Sequence, residues 1–238
     1  MSKSWRNFVT NPSEGNLLLA IDTSTQWIGL ALYDGTQVAA EMLWLARGRH
    51  TVEMAPAIQD LLRRSGVEPG QLGALAVALG PGSFTSLRIG LAIAKGMALA
   101  LHIPVVGIPS LDALAAAIPL SDMPMAAVLT AGRGRLGVVW YSNILGHWMA
   151  QGEPKVTTAA ELSASIRKPT LVVGELTADE RQLLARKRVN VHLASPAQSV
   201  RRASYLAELG WKRWQAGEVD EVIALAPIYL HIGEAIPA

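Results

Sequence analysis

Residues 80–90 read GPGSFTSLRIG, and this stretch decides the fold because it joins two apolar segments. It follows the apolar run at 74–79 and opens a second run that continues to Leu101. Two glycines flank Pro81, a combination that is typical of a sharp turn. The pattern therefore predicts a strand that ends near residue 79 and a helix that begins near Ser83.

The start of this helix is a candidate anion-binding site, because a helix N-terminus has unpaired N–H groups and a partial positive charge. The loop is not a Walker A motif, since that motif started at Gly80 would need glycine and lysine at Thr85 and Ser86. The residues alone leave two interpretations open, an anion-binding loop and a capped turn without a ligand.

Composition limits the class of protein. The chain has 238 residues, of which 50% are apolar and 17% charged, so one large domain or two packed lobes can bury a sizeable core. A net charge of +2 lacks the basic excess of a dedicated nucleic-acid binder. The chain has no cysteine, which excludes disulfides and thiolate metal sites. The N-terminus lacks the apolar core of a signal peptide, and the run at 89–101 is shorter than the ~20 residues of a membrane span. We therefore expect a cytoplasmic protein that does not cross a membrane.

Working outward from residues 80–90, the first half shows three strands, a helix, a strand, a helix and a strand. A strong hairpin signal, Asp34-Gly35, joins the second and third strands. The predicted elements are strands at 17–21, 27–33 and 37–44, a helix at 51–65, a strand at 74–79, a helix at 84–101 and a strand at 104–108. This order is the order of a ribonuclease-H-like lobe.

The second half is less regular and predicts a smaller lobe. Strands are expected at 126–129, 136–141, 171–174 and 189–193, and helices at 159–166, 178–187 and 200–216. We divide the chain into an N-terminal extension (1–15), a ribonuclease-H-like lobe (16–110) and a smaller C-terminal lobe (111–238) whose last segment could pack back on the first. The fold class is α/β, with an actin-like arrangement of two lobes and a degenerate second lobe.

Catalytic chemistry is poorly supported by the residues. Actin-like ATPases hold nucleotide with a polar hairpin in each lobe, but residues 22–25 (DTST) contain no glycine for a phosphate to approach. In the second lobe Thr130 stands where a metal-binding carboxylate would be expected. None of the five histidines has a metal-ligand spacing, and His50 with Glu53 fits the first turn of a helix. We therefore predict no catalytic, cofactor-binding or metal-binding residues, and no cofactor of the chain's own.

The helix at 84–101 predicts a partner interface. Its only charged residues are Arg88 and Lys95, although a helix with one face in water should have a broad polar side. Residual apolar surface of this kind marks interaction sites, unless the second lobe covers it. The predicted interface residues are Met54, Ile58, Leu61, Phe84, Leu87, Gly90, Leu91, Ala94, Met97 and Ala98.

At this point the sequence resembles the bacterial TsaB (YeaZ) family. Residues 80–90 carry most of the resemblance, and further matching segments lie at 21–25, 50–56, 104–111 and 227–230. The chain departs from the family pattern at Ser86, at Thr130 and at His231. Catalytic relatives carry histidine metal ligands just after the strand at 104–108, where this chain has Pro109-Ser110 and no histidine.

The resemblance implies a non-catalytic scaffold of the complex that makes N6-threonylcarbamoyladenosine at position 37 of tRNAs reading codons that begin with A. The implied partners are the catalytic TsaD subunit and a TsaE-like ATPase, with a homodimer when the chain is alone and only indirect contact with tRNA. ATP or ADP would bind only at an interface within the complex. The alternatives are an actin-like small-molecule kinase or ATPase, a metallopeptidase-like enzyme, and a homodimeric module with another client.

Overall fold

The computed structural model describes residues 16–187 and 189–230, which form two β-sheets with helices packed on them. The strands are β1 (Leu17–Asp22), β2 (Trp27–Tyr33), β3 (Val38–Leu45), β4 (Leu72–Gly80), β5 (Val105–Pro109), β6 (Met125–Thr130), β7 (Leu136–Ile144), β8 (His147–Ala150), β9 (Lys155–Thr157), β10 (Thr170–Gly174) and β11 (Val191–Leu193). The α-helices are α1 (His50–Ser65), α2 (Phe84–Leu101), α3 (Ser110–Ala116), α4 (Ala159–Ser165), α5 (Ala178–Ala185) and α6 (Ala203–Gln215).

The first sheet has the strand order β3-β2-β1-β4-β5. Strands β1 to β3 form an antiparallel meander, and β4 and β5 run parallel to β1. Every residue of β1 is buried because helices cover both faces of this central strand. Its alternate side chains pack against α1 and α2 on one face and against α6 on the other. A continuous apolar run without alternation is the sequence signature of such a strand.

The second sheet repeats this order and adds a sixth strand. Its strands lie in the order β11-β10-β6-β7-β8, and β9 pairs with β7. Strands β6 to β8 form the antiparallel meander, while β10 and β11 run parallel to β6. The architecture is therefore a two-lobed α/β fold built on ribonuclease-H-like sheets, as the sequence predicted.

Helices α3 and α6 link the two lobes. Helix α3 follows the first sheet and lies between the lobes, because Leu111 and Leu114 join a second-lobe core with Met125 and Tyr141 while Ala113 joins the first-lobe core that contains α6. Helix α6 follows the second sheet but packs on the first. Residues 111–238, which the sequence assigned to the second lobe, thus contribute α6 to the first. The chain also returns near its end, where the N–H of Ile228 donates to the Leu79 carbonyl at 2.7 Å.

Several elements differ from the sequence prediction. Helix α3 and strands β8 and β9 were not predicted, and they are short segments with too few residues to show a period. The predicted extension at 1–15 lies outside the described residues. By length and composition α2 is the one helix of the described chain that could cross a membrane, and in the structure one of its faces packs on the first sheet.

Candidate functional site

Two loops of the first lobe meet below the cleft between the lobes. They are the loop after β1 (residues 22–25) and the glycine loop after β4 (residues 80–83). The N–H of Ser83 donates to the Ser24 carbonyl at 2.7 Å, so this donor is used within the chain. A Cβ on Gly82 would lie 2.1 Å from the same carbonyl oxygen. Glycine is therefore required here for loop-to-loop packing, and Ser83 serves as the N-cap of α2.

Ser110 connects these two loops through hydrogen bonds. Its hydroxyl accepts a hydrogen bond from the N–H of Gly80 at 2.9 Å and shares a second hydrogen bond with the Ser24 hydroxyl. The side chain is fully buried. The resemblance implies a histidine metal ligand at this place in catalytic relatives. Here the residue is Ser110, whose hydroxyl holds the two loops together.

A buried ionic cluster fills the space next to the β1 loop. Arg201 donates from Nε to Asp22 Oδ2 at 3.0 Å, from Nη1 to Glu175 Oε1 at 2.6 Å and from Nη2 to Thr25 Oγ1 at 3.0 Å. Its side chain is 2% exposed, and those of Asp22 and Glu175 are 5% and 19% exposed. Asp22 belongs to the first lobe and Glu175 follows β10 in the second, so Arg201 joins the lobes.

The charges in this cluster favour an ionised arginine. Burial acts to lower the pKa of Arg201, but the Asp22 and Glu175 charges outweigh it and raise that pKa. Asp22 is also held by its own loop, because Oδ1 accepts the N–H of Ser24 at 2.8 Å. The carboxylate that an actin-like ATPase would use for its nucleotide and metal is thus paired with a cation of the chain itself.

Above the cluster lies an open cleft of about 1160 Å³. The first lobe contributes Gly82 and Phe84 to its lining, and the second contributes Gly174 and Thr130. Thr130 is exposed and supplies no carboxylate on the second-lobe side. Within residues 16–187 and 189–230, no group of three or more histidine and acidic side chains is placed to hold a metal ion.

The predicted interface residues require a correction. Most of them are buried in the core of the chain itself, because they form the stripe of α1 and α2 that packs on the first sheet. The buried ones are Met54, Ile58, Leu61, Leu87, Gly90, Leu91, Ala94 and Ala98, and Met97 is half-buried. Phe84 is exposed, and its ring lies beneath the Arg88 guanidinium at 3.6 Å from the centroid. Gly90 allows the approach of Thr23, whose Oγ1 would lie 2.2 Å from an added Cβ.

The opposite side of the same two helices remains open and apolar. We call it the α1–α2 face; it consists of Val52, Ala55 and Pro56 on α1 with Ala92, Gly96, Leu99 and Ala100 on α2, all exposed. Val52 and Leu99 are 61% and 60% exposed. Both charged residues of α2 turn toward the C-terminal segment, where Arg88 Nε donates to the Tyr229 hydroxyl and Lys95 Nζ donates to the Ile223 carbonyl, each at 3.0 Å. Helix α2 therefore carries no charge into the α1–α2 face.

The departures from the family pattern have different positions. Ser86 is buried, and its hydroxyl donates to Ser83 Oγ at 3.1 Å, which strengthens the start of α2. Thr130 lines the cleft. His231 lies outside the described residues.

Two ribonuclease-H-like sheets around a cleft define a protein of the actin-like class. The family model for TsaD, tRNA N6-adenosine threonylcarbamoyltransferase, matches residues 44–169. The tRNA threonylcarbamoyladenosine biosynthesis protein TsaB of Bacillus subtilis is 32% identical over 222 residues, which cover 92% of this chain and 95% of that protein. The chain therefore belongs to the TsaB family, and its function lies in tRNA threonylcarbamoyladenosine biosynthesis.

Two further comparisons agree with this assignment. A crystal structure of a Pseudomonas aeruginosa protein described as similar to peptidase YeaZ superposes with a TM-score of 0.74 at 25% identity, covering 91% of this chain and 100% of that one. A tRNA N6-adenosine threonylcarbamoyltransferase of Nitratidesulfovibrio vulgaris is 40% identical over 112 residues, 41% of this chain and 31% of that protein. The chain thus shares part of its sequence with proteins named as the transferase.

Sequence reasoning missed Arg201 and Glu175, although Asp22 and Thr25 were recognised as a candidate polar loop. Arg201 lies 179 residues from Asp22 and 26 from Glu175 along the chain, so no local pattern connects them. The Arg-Arg pair at 201–202 precedes α6 and reads like any exposed helix start. Only the packing of α6 on the first sheet brings Arg201 to the cleft.

Proposed function

We propose that this chain is a non-catalytic subunit that binds a TsaD-type transferase through the α1–α2 face and supports threonylcarbamoylation of tRNA in the cytoplasm. The observation that carries the proposal is the exposed apolar strip along both helices. Burial of such a strip against a partner is favourable because apolar surface is removed from water. Gly96, Ala92 and Ala100 have little or no side chain, so another helix could approach α2 closely.

The pairing of Asp22 beside the cleft supports the non-catalytic part of the proposal. Phosphoryl transfer needs a metal ion and groups that stabilise the charge of the phosphates. Here Asp22 is paired with Arg201 and Thr130 replaces a carboxylate on the second-lobe side. The same two facts argue against the alternatives of an actin-like kinase or ATPase and of a metallopeptidase-like enzyme. In this proposal ATP or ADP binds only at an interface within the complex, where a TsaE-like ATPase also acts.

Association with the transferase tests the proposal directly. The purified chain is mixed with the TsaD-type protein of the same host, and the complex is measured by light scattering and by titration. Ala92→Arg and Leu99→Arg place a charge on the α1–α2 face, and we expect each to weaken binding at least tenfold, or about 1.4 kcal/mol. Both positions are exposed, so the melting temperature of the variants should stay close to that of the unchanged chain.

A matched control comes from the second lobe. Leu120 is 51% exposed, lies after α3 and is not one of the residues of the α1–α2 face, so Leu120→Arg should bind at full strength. We also expect a homodimer of the isolated chain to use the same face and to dissociate when the transferase is added. Full-strength binding by both face variants would contradict the proposal. So would ATP turnover by the isolated chain that Asp22→Asn abolishes.

A further inference from the structure

A second, smaller pocket of about 500 Å³ opens beside the β1 loop, between the starts of α1 and α2. His50, Arg47 and Gly48 line it from the first helix and the loop before it, and Ser83 and Ser86 line it from the second. This pocket is separate from the α1–α2 face, and the proposed function makes no use of it.

His50 is the unusual member of the lining. The residue is 1% exposed, yet its Nε2 atom has no hydrogen-bond partner among the described residues. Buried polar atoms in proteins are nearly always paired, and an unpaired one calls for an explanation such as an absent ligand. An imidazole N–H at this position can donate to an anion.

The helix ends around the pocket favour negative charge. The N-cap residue of α1, Arg49, makes no side-chain capping bond. Its carbonyl accepts the N–H groups of Val52 and Glu53, which leaves those of His50 and Thr51 available at the start of this 16-residue helix. The N-terminus of α2 contributes its partial positive charge from the other side. Arg47 adds a full positive charge, and none of the described residues that line the pocket is acidic. Two carboxylates of neighbouring segments are engaged with other residues, Glu53 with Arg49 and Trp44 and Glu175 with Arg201.

From His50, Arg47 and the uncapped start of α1, we infer that this pocket binds a phosphate group, either as inorganic phosphate or as part of a small phosphate ester. Phosphate offers several acceptor oxygens and a charge of about −2, which suits an N–H donor, a guanidinium and two helix ends at once. The recessed position next to a buried histidine fits a small ligand better than a nucleic-acid backbone.

The test uses the isolated full chain, titrated with inorganic phosphate, with adenosine monophosphate and with a short single-stranded RNA at constant ionic strength. Binding is followed by calorimetry and by the NMR signals of the histidine side chains. His50→Leu removes the donor and should weaken phosphate binding at least tenfold. Arg47→Ala should weaken it at least threefold.

Arg133→Ala is the matched control, because Arg47 and Arg133 are exposed arginines that precede a glycine and have φ angles of 48° and 52°. It should bind phosphate like the unchanged chain. If His50→Leu does not fold, the inference is tested by comparing the phosphate affinities of Arg47→Ala and Arg133→Ala. Binding of the ester alone would support the inference and identify an ester as the source of the phosphate. Absence of binding at about 10 mM, equal binding by the His50 and Arg47 variants, or binding of RNA alone would overturn it. None of these results depends on the transferase, so failure here leaves the proposed function untouched.

Discussion

Replacing Arg201 with methionine is the sharpest test of the ionic cluster. The change leaves Asp22 and Glu175 as carboxylates without their common cation, and their side chains are only 5% and 19% exposed. Removing one partner of a buried ion pair costs about 3–5 kcal/mol, because the remaining charge stays out of water. The three hydrogen bonds of Arg201, at about 1.5–3 kcal/mol each for charged partners, would give a larger sum. Since Glu175 can regain water from the cleft, we expect the smaller range.

The assay is equilibrium unfolding by urea at pH 7, together with the melting temperature. For a chain of this size 1 kcal/mol corresponds to about 2–4 °C, so Arg201→Met should lower the melting temperature by roughly 6–20 °C. A combined variant that also carries Asp22→Asn and Glu175→Gln should recover most of the lost stability, because neutral groups are less costly to bury.

The neighbouring arginine supplies the control. Arg202 pairs with Glu41, but its side chain is 55% exposed, and exposed ion pairs contribute about 0–1 kcal/mol. Arg202→Met should therefore cost less than about 1 kcal/mol. Equal losses of unfolding free energy in Arg201→Met and Arg202→Met would refute the view that Arg201 neutralises the cleft and joins the lobes.

Two further predictions concern a buried acid and the glycines of α2. Burial raises the pKa of Asp112 and outweighs the hydrogen bond from the Tyr141 hydroxyl, 2.6 Å long. Because the pKa is raised in the folded state, the protonated Asp112 contributes stability at low pH, and this contribution is lost as the pH rises and the buried carboxyl ionises. Asp112→Asn should therefore raise the melting temperature at pH 7 and change it little near pH 3. Gly90→Ala should cost about 1–3 kcal/mol by a clash with Thr23, whereas Gly96→Ala, with nothing within 4 Å, should stabilise the helix by about 0.5–1 kcal/mol. Equal unfolding midpoints for the two alanine variants, or a pH-independent effect of Asp112→Asn, would contradict these expectations.

The sequence was sufficient for the first lobe because its signals are local. The apolar run of β1 has no polar alternation, and the Asp34-Gly35 turn forms as expected, with Asp34 Oδ1 accepting the N–H groups of Thr36 and Gln37 at 2.8 Å each. Ser83 is the N-cap of α2, as the glycine loop predicted. Turns and buried strands of this kind depend on neighbouring residues, so no tertiary information was needed.

The orientation of α2 could not be predicted in the same way. A helix that is apolar on all sides does not reveal which side meets the sheet, and the interface residues chosen from its strongest apolar stripe belong to the core. Residue size does not separate the two stripes either, because Gly90, Ala94 and Ala98 are buried whereas Leu99 is 60% exposed. Which stripe meets the sheet becomes clear only once the packing partner is known.

The cleft contains a direct side-chain connection between the two lobes of this actin-like fold. Proteins of two lobes commonly close around a bound ligand, which supplies contacts to both sides. In this chain Arg201 supplies such contacts from the segment that leads into α6, with Asp22 on one side and Glu175 on the other. Under the proposed function, metal-dependent phosphate chemistry in this cleft would require two separate changes, removal of the arginine and a carboxylate at Thr130. The first change alone would strand two buried charges, so the cluster itself favours retention of the internally neutralised cleft.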